Sequence, residues 1–313
     1  MEYQVNKKVS ILSILIIAIL STSFSTAVLA ASDEPLTVYS TRQENLIKPL
    51  FDVFTNKTGI EVRYLTGKGG ALIERIKLEG KRTKADMFMT VDAGNLWYAA
   101  SQNLFQPVES EVLVNNIPSH LRDPEGLWTG LSVRARTIIY STDRVNPEEL
   151  STYQDLANSK WKGRLCLRTS KKVYSKSLVA SLIHHDGVEN TSEVVKGWVR
   201  NLAATPHAED NYVMSAILAG QCDVGIVNSY YFGRLQTREP NVALKLFWAN
   251  QDSTGTHVNI SGAGVTRYSK NPENSLKLLE FLSSIEAQKI YVELNKEYPA
   301  SQKIKADNLI TLW

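Results

Sequence analysis

Three short apolar stretches in the first hundred residues are each followed by a polar or glycine-bearing turn and then by helical periodicity. Leu36–Ser40 reads as a strand, and Thr41-Arg42-Gln43-Glu44 reads as a turn. Residues 45–58 then carry Leu46, Ile47, Leu50, Phe51 and Phe54 at helical spacing. Residues 60–65 and 86–91 read as the next strands, feeding helices that begin at Ala71 and at Asp92-Ala93-Gly94-Asn95. Repeated strand–helix units imply a mainly parallel sheet, because each crossover helix must cover a sheet face. The turn Thr66-Gly67-Lys68-Gly69-Gly70 lacks the Gly-Lys-Ser/Thr ending of a phosphate loop and reads as a turn lining a cleft.

A second α/β section repeats the pattern. Residues 161–168 and 224–227 read as strands, and 175–184, 192–202 and 212–219 as helices. The strand at 242–247 and the helices at 274–284 and 285–294 complete it. Between the two halves run a long strand at 131–140 and a glycine-spaced return strand, Val258–Val265. The expected fold class is therefore α/β, with two lobes and a hinge of two crossing strands. The expected division is 31–133 with about 258–283 in the first lobe, and 134–257 with about 284–313 in the second. Arg134 and Arg136 are two apart in the long strand and so share a face, where buried guanidinium needs an anionic partner.

Residues 1–30 stand apart from the fold. Lys7 and Lys8 precede an apolar run at 11–20, and Thr26-Ala27-Val28-Leu29-Ala30-Ala31 ends in small residues. This is the pattern of a cleavable Sec-type signal peptide, and the run is short for a membrane span. No other segment is long and apolar enough to be membrane-embedded. The formal net charge of +3 on 313 residues, without basic clusters, argues against nucleic acid as a partner. Cys166 and Cys222 are the two cysteines, and an isolated pair in an exported chain reads most simply as a disulfide. A thiolate metal site has no Cys-x-x-Cys spacing to support it. The five histidines, His184-His185 included, show no ligand spacing, and no Gly-x-Ser-x-Gly or metalloprotease motif points to an enzyme.

The stretch with most chemical content is Asn228-Ser229-Tyr230-Tyr231, where a buried strand hands over to a helix. Asn and Ser are N-cap types, and adjacent residues in a first helical turn diverge by about 100°, so both tyrosines can border one cleft. Ligands of α/β sheets gather at that edge, and a helix N-terminus suits phenolate. A tyrosine pair is more often packing than ligand, so this stretch needs company. Tyr174 supplies some, standing at the start of another helix.

With Val38-Tyr39-Ser40-Thr41-Arg42, Ala85-Asp86-Met87-Phe88-Met89-Thr90-Val91-Asp92-Ala93-Gly94 and Gly130-Leu131-Ser132-Val133-Arg134-Ala135-Arg136, the chain resembles the periplasmic ferric-iron-binding proteins that feed ABC transporters. It is most similar to their tyrosine-rich branch, which includes the cyanobacterial iron-uptake binding proteins. The resemblance implies a type II periplasmic binding protein, a monomer that binds Fe(III) and passes it to an inner-membrane ABC permease. It implies Tyr230, Tyr231 and Tyr174 as metal ligands, with Arg134 or Arg136 holding a carbonate-like synergistic anion or screening phenolate charge. Where some members carry a His or a His-Tyr pair, this chain has Gln43 and Glu44, and where others carry Glu it has Val91. Glu44 is the candidate first-lobe ligand, with water or an exogenous anion as the alternative. Tyr39 and Gln43 are expected beside the ligands. Hard Fe(III) prefers anionic oxygen, and a metal can deprotonate a phenol whose free pKa is about 10. The alternative cargo is a small organic or phosphonate-like anion clamped by Arg134 and Arg136.

Overall fold

The computed structural model describes residues 35–306, so the expected signal peptide at 1–30 lies outside the described residues. Strands β1 (Leu36–Ser40), β2 (Val62–Thr66) and β3 (Met87–Thr90) alternate with helices α1 (Glu44–Thr58), α2 (Gly69–Glu79) and α3 (Ala93–Ser101). β1 pairs in parallel with both β2 and β3, as the strand–helix recurrence requires. After α4 (Glu111–Asn116) the long strand β4 (Thr129–Ser141) begins. The second section contains β5 (Leu165–Cys166), α5 (Val173–Asn201), α6 (Asp210–Leu218), β6 (Val224–Asn228), α7 (Ser229–Arg238) and β7 (Leu244–Phe247). The chain ends with β8 (Val258–Val265), α8 (Pro272–Ser283), α9 (Ile285–Asn295) and β9 (Tyr298–Pro299).

β4 belongs to both halves. Its residues Ser132 to Ala135 pair antiparallel with β8, while Arg136 to Tyr140 pair with β6, and Ile138 to Ser141 also meet β7. The chain thus leaves the first sheet between Ala135 and Arg136 and returns at His257–Val258, where the Arg136 N–H donates to the His257 carbonyl at 3.0 Å. These are the two crossing strands.

Strand alternation sorts the side chains into cores on either side of each sheet. Val38, Met87 and Met89 face α1 and α8, packing with Ile47, Phe51, Phe54 and Leu278. Tyr39 and Phe88, one residue out of step, face α2 and α3 with Ile73 and Leu96. In the second section Ile138, Val224 and Ile226 pack with Trp161 and Trp198, while Ile139 and Val227 pack with Val213 and Ile217. Burial of a large side chain contributes roughly 1.5–3 kcal/mol, so each section has its own apolar drive to fold.

Two expectations need correction. The sequence places residues from about 284 to 313 in the second lobe, but Ala287 and Tyr291 of α9 fill the first core beside Ile47 and Phe51. β9 likewise pairs with Ser132 and Val133 in the first half of β4. The helices expected at 175–184 and 192–202 form one 29-residue element, broken at Gly187 (φ 80, ψ 166). That conformation is open to glycine and strained for a side-chain-bearing residue, so Gly187 lets the two arms of α5 fold onto each other. Among the described residues no helix is long and apolar enough to cross a membrane.

Cys166 and Cys222 are joined in a disulfide, with Cα atoms 5.9 Å apart and a sequence separation of 56. It ties β5 to the turn that leads into β6, in the same core as Val213 and Val227. Replacing both cysteines by alanine should lower stability to urea by about 2–5 kcal/mol. The shift in unfolding midpoint of the oxidised parent against the double variant measures this, and equal midpoints would contradict it.

Candidate metal centre

β6 ends at Asn228, whose extended backbone caps α7, so Ser229, Tyr230 and Tyr231 occupy the first helical turn. Tyr230 is buried and Tyr231 half-buried, their ring centroids 4.5 Å apart. Tyr174, the second residue of α5, joins them across a cleft of about 400 Å³. Three guanidinium groups surround this cluster. Arg134 and Arg168 each hold Cζ 5.2 Å from the Tyr174 ring centroid, and Arg234 lies 4.9 Å from that of Tyr230.

Tyr230 and Tyr231 are held protonated in the absence of a competing cation. Burial, then the neighbouring Tyr174 and Tyr231, push Tyr230 well above the ordinary tyrosine range, with Arg134 pulling the other way. Burial and the Asp210 carboxylate raise Tyr231, which Arg168 counteracts. The Asn228 side-chain amide donates to the Tyr230 oxygen at 3.1 Å.

A fully buried carboxylate underlies the arrangement. Asp210, at the start of α6, accepts from Arg136 Nη1 at 3.1 Å and from the Asn228 backbone N–H at 3.0 Å, and lies 3.5 Å from Arg168 Nη1. Arg136 also donates to the Ile226 carbonyl. It does not line the cleft, so the expected clamp of Arg134 with Arg136 does not form. Arg134 does line the cleft. It is 3% exposed, neither terminal nitrogen has a hydrogen-bonding protein partner, and its nearest acid is Asp92 at 3.9 Å.

The first section presents Thr41, Gln43, Leu46, Val91, Ser261 and Glu297 to the same cleft. Gln43 lines the cleft. Glu44 does not: its exposed carboxylate accepts from the Tyr64 hydroxyl at 2.8 Å, and the side chain is not among those lining the cleft. Tyr39 is also displaced from its expected role. Strand alternation turns it to the α2 face, where its hydroxyl donates to Glu79 at 3.1 Å beneath the Arg75 guanidinium. Glu297 borders the cleft but is committed to Arg42 at 2.5 Å and to the Ser132 hydroxyl. The reading from sequence missed Asp210, Arg234 and the Arg42–Glu297 pair. Arg234 was accessible, four residues beyond Tyr230 on one helix face. Arg42 and Glu297 are 255 residues apart, and no local pattern links them. Among the described residues no group of three His, Cys, Asp or Glu side chains could hold a metal ion; besides the phenols, the second section brings one acid to the cleft, exposed Glu209.

Two hinged α/β lobes flanking a polar cleft define a solute-binding protein. The chain belongs to the family of bacterial extracellular solute-binding proteins, whose pattern matches residues 82–311. Iron uptake protein A1 of Synechocystis sp. is 44% identical over 274 residues, 85% of this chain and 76% of its own length. A Trichodesmium protein solved in complex with iron and citrate ligands superposes with a TM-score of 0.82 at 45% identity, covering 89% of this chain and 90% of that one. The ferric binding protein from Campylobacter jejuni gives 0.84 at 35% identity, with 88% and 89% covered. The resemblance read from the sequence and the two-lobed fold it implied are both borne out.

His257 sits at the return crossing, where burial, then Arg134 and Arg136, push its pKa down to about 4. The folded protein therefore keeps this imidazole neutral while the unfolded chain protonates it below about pH 6.5. Its contribution to stability is complete above that pH and is lost as pH falls toward 4. Urea unfolding of the parent and of His257→Gln at stepped pH should show the parent losing more stability across that window. Parallel curves would contradict this.

Proposed function

We propose that this protein is a periplasmic carrier of Fe(III), holding the ion through the phenolates of Tyr174, Tyr230 and Tyr231 and delivering it to an inner-membrane ABC permease. The observation that carries the reading is the convergence on one cleft of three phenols and the Arg134 guanidinium, whose terminal nitrogens have no hydrogen-bonding protein partner. Fe(III) is a hard cation, three phenolates balance its charge, and binding must displace a proton from each phenol. The relatives are named for iron uptake and ferric binding, which agrees with this cargo and with a carrier rather than an enzyme.

The first lobe offers no free anionic donor, because Glu44 is turned to Tyr64 and Glu297 to Arg42. The remaining positions on the metal are assigned to an oxygen-rich anion, carbonate-like or larger, seated against Arg134, and the Trichodesmium neighbour was solved in complex with iron and citrate ligands. Lobe closure would bring Gln43 and Thr41 over that anion. The lobes are taken as 35–135 with 258–299, and 136–257. Export by the signal at 1–30 and action as a monomer complete the proposal. A phosphonate-like cargo is less well served, since Arg136 is spent on Asp210.

Ferric citrate added to the metal-free protein should produce a visible phenolate-to-iron charge-transfer band, bleached by acid as protons compete for the oxygens. Tyr230→Phe and Tyr231→Phe should each weaken binding at least about ten-fold, or about 1.4 kcal/mol. Tyr174→Phe should act in the same direction. A Tyr230→Phe, Tyr231→Phe double variant with unchanged colour and affinity would refute phenolate ligation.

A further inference from the structure

A second cavity, separate from the tyrosine cleft, opens between the two arms of α5 and the strand edge below them. Its volume is about 430 Å³, within the usual range of small-molecule pockets. Leu178 and Val179 come from the first arm, Val195 from the second, and Leu202 and Pro206 from the segment after it. Buried Trp198 and Ile226 lie on the inner side, and exposed Val199 lies at the rim. The cavity exists because Gly187 reverses the helix, leaving the apolar sides of both arms facing a space they do not fill.

Three of the residues lining this largely apolar space each carry a polar atom that is screened from solvent and has no hydrogen-bonding partner in the protein: Arg136 Nε, Arg168 Nη1 and Ser175 Oγ. Arg136 and Arg168 are both more than nine-tenths buried. They share a single carboxylate, Asp210, and Arg168 reaches it only as an ion pair at 3.5 Å. None of the residues lining the cavity is acidic, and Lys176 adds a further positive charge. Two buried guanidiniums against one carboxylate leave a positive charge that favours an anion, and the walls favour a hydrocarbon chain.

We propose that this pocket is a second binding site, for an aliphatic carboxylate of medium chain length. Its carboxylate accepts from Arg168 Nη1, Arg136 Nε and Ser175 Oγ, and its chain lies against Leu178, Val179, Val195 and Leu202. Because Arg168 also stands over the Tyr174 ring, one guanidinium faces both cavities. The site does not depend on what the tyrosine cleft carries.

The test titrates octanoate, butanoate and 1-octanol into the full metal-free chain by calorimetry. Each buried methylene is worth about four-fold in affinity. Octanoate should therefore bind at least about ten-fold tighter than butanoate, which lacks the chain, and tighter than octanol, which lacks the charge. Val195→Trp should fill the pocket and abolish octanoate binding while leaving the ferric titration of the cleft unchanged. Ser175→Ala should weaken octanoate a few-fold without affecting octanol, and it decides the matter if Val195→Trp does not fold. Octanoate binding no tighter than that of butanoate or octanol, or undiminished in the Val195→Trp variant, would overturn the site. Loss of the ferric band alone would bear on the cleft and not on this pocket.

Discussion

The second half of the molecule is organised on one buried carboxylate. Removing Asp210 from water costs several kcal/mol, a cost offset only if its oxygens are occupied by good partners. It finds the crossing strand through Arg136, the segment after β5 through Arg168, and the end of β6 through the Asn228 N–H. Those contacts join three segments that lie far apart in sequence. The handover from β6 to α7 is held where Tyr230 and Tyr231 begin their helix. The disulfide from Cys166 to Cys222 ties β5 to the turn before β6, in the core that also holds Val213 and Ile217 of α6.

The two walls of the cleft differ in chemistry. The second lobe supplies the phenols with Arg234, Arg238 and Glu209, while the first lobe supplies Arg134 with amide, hydroxyl and apolar groups and an acid already paired. A cation bound there would take its negative charge from phenolate, from Glu209 at the rim and from an anion brought with it. The raised pKa values of Tyr230 and Tyr231 follow from burial, so a cation has to be strongly charged to displace their protons. That requirement favours Fe(III) over divalent ions.

Much of the fold was legible because it is written in local periodicity. The strand–helix units at 36–101 show apolar residues at spacings of two and of three to four, and the sheet follows the order they imply. The tyrosine cluster was legible because Asn228 and Ser229 mark a strand-to-helix corner and Tyr174 marks a second one. Glu44 was misplaced for a specific reason. It opens α1, and a first-turn carboxylate can lie on either side of the helix. Tyr64, across the parallel neighbour β2, draws it away. Arg136 failed as a cleft residue because equal facing along a strand does not give equal surroundings. Between Ala135 and Arg136 the strand changes sheets, and Arg136 meets Asp210 there. The packing of α9 on the first core depends on Tyr291 meeting residues some 240 positions earlier, which no window of sequence displays.

The central claim is that phenolates from the second lobe, and no carboxylate from the first, hold the metal. A crystal structure of the protein grown with ferric citrate, with anomalous diffraction recorded at the iron edge, tests it most directly. The account predicts one strong anomalous peak at coordination distance from the Tyr174, Tyr230 and Tyr231 hydroxyl oxygens, with an oxygen-rich anion between the metal and Arg134. A peak ligated by Glu44 or by a released Glu297, or one remote from the tyrosine pair, would contradict it.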